Sequence, residues 1–161
     1  MNSAIESSKD IIMNCIKKVL QKPIFITISS FILVIIIQVF FGVLNDTFLH
    51  ISTQNPIDKY SWQEKFFLGV ILAPIIETFI FQYLPFKVIG KVIKNPVYII
   101  MGSSLFFAFN HYYNWLYVVV TFFIGLILNC NYYAVQKISK YGFWLTALLH
   151  AANNSLAFLA S

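Results

Sequence analysis

The chain contains no arginine, only six acidic residues and only two cysteines in 161 positions. Its 11 lysines are scattered through short segments instead of gathered in a stripe with interleaved aromatics, so no nucleic-acid partner is expected. Cys15 and Cys130 have no CxxC spacing and no histidine at ligand spacing, which excludes a disulfide framework and a thiolate metal site. Charge is scarce altogether, at 11% of residues against roughly 25% in ordinary soluble domains. Apolar residues make up 59% of the chain, with 17 Phe and 9 Tyr, and the mean hydropathy is +0.76. That is more apolar surface than a soluble domain of this size can hide, and it excludes that class in favour of a partner that is itself apolar, the lipid bilayer.

Crossing roughly 30 Å of hydrocarbon takes about 20 apolar residues in a helix. Five such runs are present: Pro23 to Leu44, Trp62 to Phe86, Pro96 to Tyr112, Trp115 to Tyr133 and Phe143 to Ala160. The expected fold is an all-α, polytopic transmembrane helix bundle of about five spans. Ahead of it, Ile5, Ile12, Cys15, Ile16 and Val19 recur at helical spacing among lysines, which predicts an N-terminal amphipathic interfacial helix over 1–22, followed by a membrane domain over 23–161. The run after it is too long for a cleavable signal, and no small-residue cleavage site follows it. Nine lysines fall in 1–22, 87–94 and 137–140, against Lys59 and Lys65 in the alternate connections. By the positive-inside rule this predicts an inner-membrane, multi-pass protein with its N-terminus cytoplasmic and its C-terminus outside.

Among the acidic residues only Glu77 lies deep inside an apolar run. An ionisable residue at such depth is expensive and points to function. His150 lies inside the fifth run, His111 near the external end of the third, and Asn154 stands one helical turn after His150 on the same face. Pro74 removes a helix hydrogen bond just before Glu77, which predicts a kink and a freed carbonyl near Val70. Two histidines and a glutamate are a ligand set for hydrolytic zinc, with Glu77, His111 and His150 holding the metal. The same groups also permit a metal-free route, in which Glu77 with a histidine activates water while the other histidine and Asn154 bind the oxyanion. Both routes stay open on sequence. A plain structural reading exists too: Glu77 as a protonated bridge between helices, His111 in an interfacial aromatic belt with Tyr112, Tyr113 and Trp115, and His150 and Asn154 as polar glue.

These residues resemble the motifs of the CAAX protease and bacteriocin-processing (CPBP, Abi) family of intramembrane endopeptidases. Ala73-Pro74-Ile75-Ile76-Glu77-Thr78-Phe79-Ile80-Phe81-Gln82 is similar to the family's Glu-Glu-x-x-x-Arg motif with its lead-in. Phe107-Ala108-Phe109-Asn110-His111 matches Phe-x-x-x-His, and His150-Ala151-Ala152-Asn153-Asn154 matches His-x-x-x-Asn. The first motif departs at two positions, with Thr78 for the second Glu and Gln82 for the Arg, so both members of an i, i+4 charge pair are absent together. The resemblance covers 62–160 as a four-helix catalytic core and implies catalytic roles for Glu77, His111, His150 and Asn154. It also implies a peptide or protein substrate at the membrane, in bacteriocin or signal-peptide maturation or self-immunity.

Residue counts set a geometric condition on a single site. From the cytoplasmic ends of the predicted runs, Glu77 is about 9 residues in, His150 about 7 and His111 about 15, a mismatch of roughly 9–12 Å at 1.5 Å per residue. Tilted helices or shifted ends must close it. Two other classes compete with the peptidase: a binding or immunity protein that captures a peptide without cutting it, and a small proton-coupled transporter using the buried Glu and His as a relay.

Overall fold

The computed structural model describes residues 22–52 and 59–160. The expected interfacial helix over 1–22 lies outside the described residues apart from Lys22. Five helices occupy the five apolar runs, and no strand occurs among the described residues.

Helix α1 spans Pro23–Leu49, starting on a proline at its first position and ending in a wide turn over Asn45–Leu49. His50 closes it in the left-handed conformation at φ 50°, the single positive-φ non-glycine among the described residues. The Asn45 side chain fastens this end, donating to the carbonyl of Ile51 at 3.1 Å and accepting from its N–H at 2.9 Å. Helix α2 spans Trp62–Lys91 and opens with a reciprocal cap: Ser61 Oγ accepts from the Glu64 N–H, and Glu64 Oε2 accepts from the Ser61 N–H. Helix α3, Pro96–Phe109, is capped by Asn95, and α4, Trp115–Ile138, by Asn114. Helix α5 is Gly142–Ala160.

Three of these, Pro23–Leu49, Trp62–Lys91 and Trp115–Gln136, are long and apolar enough to cross a membrane by length and composition. The third run is shorter than expected: α3 is a 14-residue apolar helix that ends at Phe109, and its last predicted residues form the turn carrying His111. The α5 helix carries His150, Asn153 and Asn154 in mid-length, which dilutes its hydropathy. Only 6% of the most apolar stretch of α1 is buried, against 50% for α4, so α1 is lipid-facing and α4 central.

The core joins Val34 of α1, Phe81 of α2, Phe107 of α3, Ile124, Ile127 and Leu128 of α4, and Leu149 of α5. Helices α3 and α4 approach closest where Gly125 faces Ser104 and Phe107: a Cβ there would lie 3.0 Å from the Phe107 ring and 3.3 Å from Ser104 Cα. Lipid supplies no hydrophobic drive between helices, so buried polar contacts act as cross-links. The Ser103 hydroxyl donates to the Phe81 carbonyl, Asn129 to Ser104 Oγ at 3.1 Å and Asn131 to Thr146 Oγ1 at 2.9 Å.

Candidate active site

The helix that carries Glu77 is not wound uniformly. Phe66–Leu72 and Thr78–Tyr83 are π-helical, with a short α-helical stretch, Ala73–Glu77, between them. Proline 74 sits at the junction, buried, where its missing N–H and its ring forbid a regular ladder. The ladder passes the proline in a five-residue register, with the Ala73 N–H donating to the Leu68 carbonyl. The orphaned carbonyl is therefore that of Gly69, next to Val70 as expected, and Asn154 Nδ2 donates to it at 2.8 Å. π-turns inside α-helices concentrate at functional sites, and this pair brackets Glu77.

Three side chains converge here, from α2, from the turn after α3 and from α5. Glu77 Oε2 lies 3.4 Å from His150 Nε2 and 3.9 Å from His111 Nε2. The mismatch of depths expected from residue counts does not separate the three groups, since Glu77 lies within 4 Å of each imidazole, although α2 runs five residues further than expected, to Lys91. His150 is 3% exposed, whereas His111 and Glu77 are 13% and 18% exposed, so the site is sealed behind His150 and open beside His111.

His111 Nδ1 lies 2.8 Å from the Phe107 carbonyl. A carbonyl can only accept, so Nδ1 carries the proton and the neutral ring turns a bare Nε2 toward Glu77. The Phe107 ring separates the two imidazoles, with centroids 4.5 Å from His111 and 5.7 Å from His150. Tyr117 flanks His111 at 6.0 Å and Tyr113 at 6.1 Å. Glu77 Oε2 and His150 Nδ1 are buried without a hydrogen-bond partner among the described residues. A bare imidazole nitrogen facing a carboxylate oxygen needs a proton or a donor between them, and a water molecule donating one hydrogen to each satisfies both.

Glu77, His111 and His150 are the donors that a hydrolytic metal would use, although among the described residues no three such side chains stand in metal-binding geometry. The two motif departures are also located. Thr78 and Gln82 are fully buried, and Thr78 Oγ1 and both polar atoms of Gln82 lack partners among the described residues. The neutral pair thus replaces the charge pair without forming the hydrogen bonds that those side chains permit.

Sequence reading named the residues that the structure brings together here but missed three others that shape the site. The Phe107 carbonyl that fixes the His111 tautomer was visible only as the first letter of a motif. The Gly69 carbonyl carried no signal beyond the proline five residues on. Tyr117 was one aromatic among many.

A family described as type II CAAX prenyl endopeptidase Rce1-like has a sequence model that matches residues 61–156, more than half of the chain. No curated protein and no solved structure matches.

Proposed function

Since the chain belongs to the type II CAAX prenyl endopeptidase Rce1-like family, a family of proteases, we propose that it is an intramembrane endopeptidase that hydrolyses a peptide bond in a membrane-associated peptide or protein. The observation that carries this reading is the single carboxylate oxygen of Glu77 faced by two imidazoles, at 3.4 and 3.9 Å, inside an apolar bundle. Maturation of a bacteriocin or signal peptide, or self-immunity, are the roles that such an activity fits.

In this mechanism Glu77 is the general base. A water held between Glu77 Oε2 and His111 Nε2 donates both hydrogens, leaving its lone pairs free for the substrate carbonyl carbon. On attack, the water proton passes to the Glu77 carboxylate, and the carbonyl becomes a tetrahedral oxyanion. His150, in the tautomer that carries hydrogen on Nε2, donates to that oxyanion, with the second amide hydrogen of Asn154 as the other candidate donor. Collapse breaks the C–N bond, and the proton on Glu77 transfers to the leaving amine. An acid and an amine leave, and Glu77 is again a carboxylate. Positioning and removal of bulk water supply the rest of the barrier reduction.

Lysines support an orientation as well. Lys87 and Lys91 lie in the last turns of α2 and Lys94 between α2 and α3, while Lys137 lies in the last turn of α4 and Lys140 between α4 and α5, at the same end of the bundle. With that end cytoplasmic, His111 and its turn lie toward the outer face, and substrate reaches the site from there.

The test is direct. Detergent-purified or liposome-embedded protein is incubated with a library of membrane-active peptides, and products are sought by mass spectrometry beside Glu77→Gln. Cleavage by the native chain alone is the expected result. Folded native protein that binds peptides but cuts none points instead to the immunity or scaffold class, which the neutral Thr78 and Gln82 pair favours. Proton-gradient-coupled uptake without products would point to transport.

A further inference from the structure

The amide of Asn154 and the carbonyl of Gly69 are 85 residues apart in sequence and 2.8 Å apart in space. Gly69 is the residue whose carbonyl Pro74 leaves without a helix donor. The Ala73 N–H reaches five residues back to Leu68, the next donor in that register would be residue 74, and a proline has none. The carbonyl can only accept, which fixes the Asn154 amide with Nδ2 toward it, and Asn153 Nδ2 lies 3.4 Å from the opposite atom, Oδ1.

We propose that Asn154 is a positioning residue: its side-chain amide stands in for the N–H that Pro74 lacks, and so holds the widened turn of α2 against α5. This goes beyond the oxyanion role considered above and rests on the reading of Glu77 as the general base. Asn154 is one turn beyond His150 on the same face of α5, and Glu77 is three residues beyond Pro74 on α2. The one hydrogen bond therefore ties α2 to α5 about two turns before Glu77 and one turn after His150, and by fixing the two helices against each other it sets the 3.4 Å separation of Glu77 and His150. The amide serves the reaction through Glu77.

A double-mutant cycle tests this, because Pro74→Ala restores an N–H that can reach the Gly69 carbonyl. Melting temperature and peptide-cleavage kinetics are measured for the native chain, Asn154→Ala, Pro74→Ala and the double variant. In the native background, Asn154→Ala lowers the melting temperature and reduces kcat about 100-fold, the scale of a 1 Å misplacement, with KM changed less than about threefold. In the Pro74→Ala background the same substitution lowers the melting temperature less than half as much and reduces kcat less than about tenfold. Equal melting losses in both backgrounds would overturn the clamp. Coupled melting with uncoupled kcat would overturn the positioning role and return Asn154 to the reacting groups. If the native chain cleaves no peptide, the peptidase reading fails, while coupling of the melting temperatures still decides the clamp.

Discussion

His111 donates its Nδ1 hydrogen to the carbonyl of Phe107, four residues earlier, at 2.8 Å, and thereby presents a hydrogen-free nitrogen to Glu77 Oε2 at 3.9 Å. The consequence is a division of labour between the histidines, since the Nδ1 of His150 has no such partner and leaves its tautomer free. His111→Gln, which lacks the ring and the fixed tautomer, should reduce kcat by about 10²–10⁴-fold, the range of a lost acid–base group. Because this turn is partly exposed, the melting temperature should change little.

Glu77→Gln keeps the shape of the side chain and removes its basicity. Cleavage should fall about 10²–10⁴-fold while the protein stays folded. Quantitative mass spectrometry of peptide products, with circular dichroism of the same samples, checks both halves. Unchanged cleavage would remove Glu77 from the chemistry.

The five helices were legible because an uninterrupted apolar run has one physical solution in lipid, a helix. The candidate site residues were legible because ionisable groups stand out against such a background. The winding of α2 was not. Hydropathy reports that a segment is buried in lipid but not how its turns are counted, and the effect of Pro74 depends on the register that the chain adopts around it. A freed carbonyl near Val70 was legible from Pro74 alone, but that it is the carbonyl of Gly69 depends on the five-residue ladder. The end of α2 was also placed early, at Phe86, where the apolar run meets Lys87, although the helix continues to Lys91.

Metal analysis separates the two hydrolytic routes. The purified protein should contain zinc well below one equivalent, and chelators should leave peptide cleavage unchanged. Stoichiometric zinc lost in both Glu77→Gln and His150→Ala would establish the metal-ligand route.

Gln82 offers a test of stability independent of activity. Both its polar atoms are buried without partners, a state that costs about 1–3 kcal/mol for each group. Gln82→Met, close in volume and apolar, should raise stability by about 1–2 kcal/mol. Restoring only one charge, as in Gln82→Arg, should destabilise, and adding Thr78→Glu should recover much of the loss. Thermal melts in one detergent decide the sign.

Where α3 and α4 touch, Gly125→Val should destabilise by about 1–3 kcal/mol through overpacking against Phe107 and Ser104. The same shift displaces the Phe107 carbonyl and with it His111, so activity should fall more than stability. Gly102→Ala, where nothing lies within 4 Å of the added methyl, is the control and should be neutral or stabilising.

The wide turn over Phe66–Leu72 has the geometry of an α-helix that has absorbed one extra residue. Everything downstream of it is rotated by about 100° relative to a regular helix drawn from Trp62. Deleting a single residue from this stretch would therefore heal the wide turn into a regular α-helix and leave Glu77 facing both imidazoles, whereas a deletion between Pro74 and Glu77, where no extra residue is stored, would swing the carboxylate toward lipid. Related chains that keep the motifs but are one residue shorter between Ser61 and Pro74 would then keep the site on a regular helix.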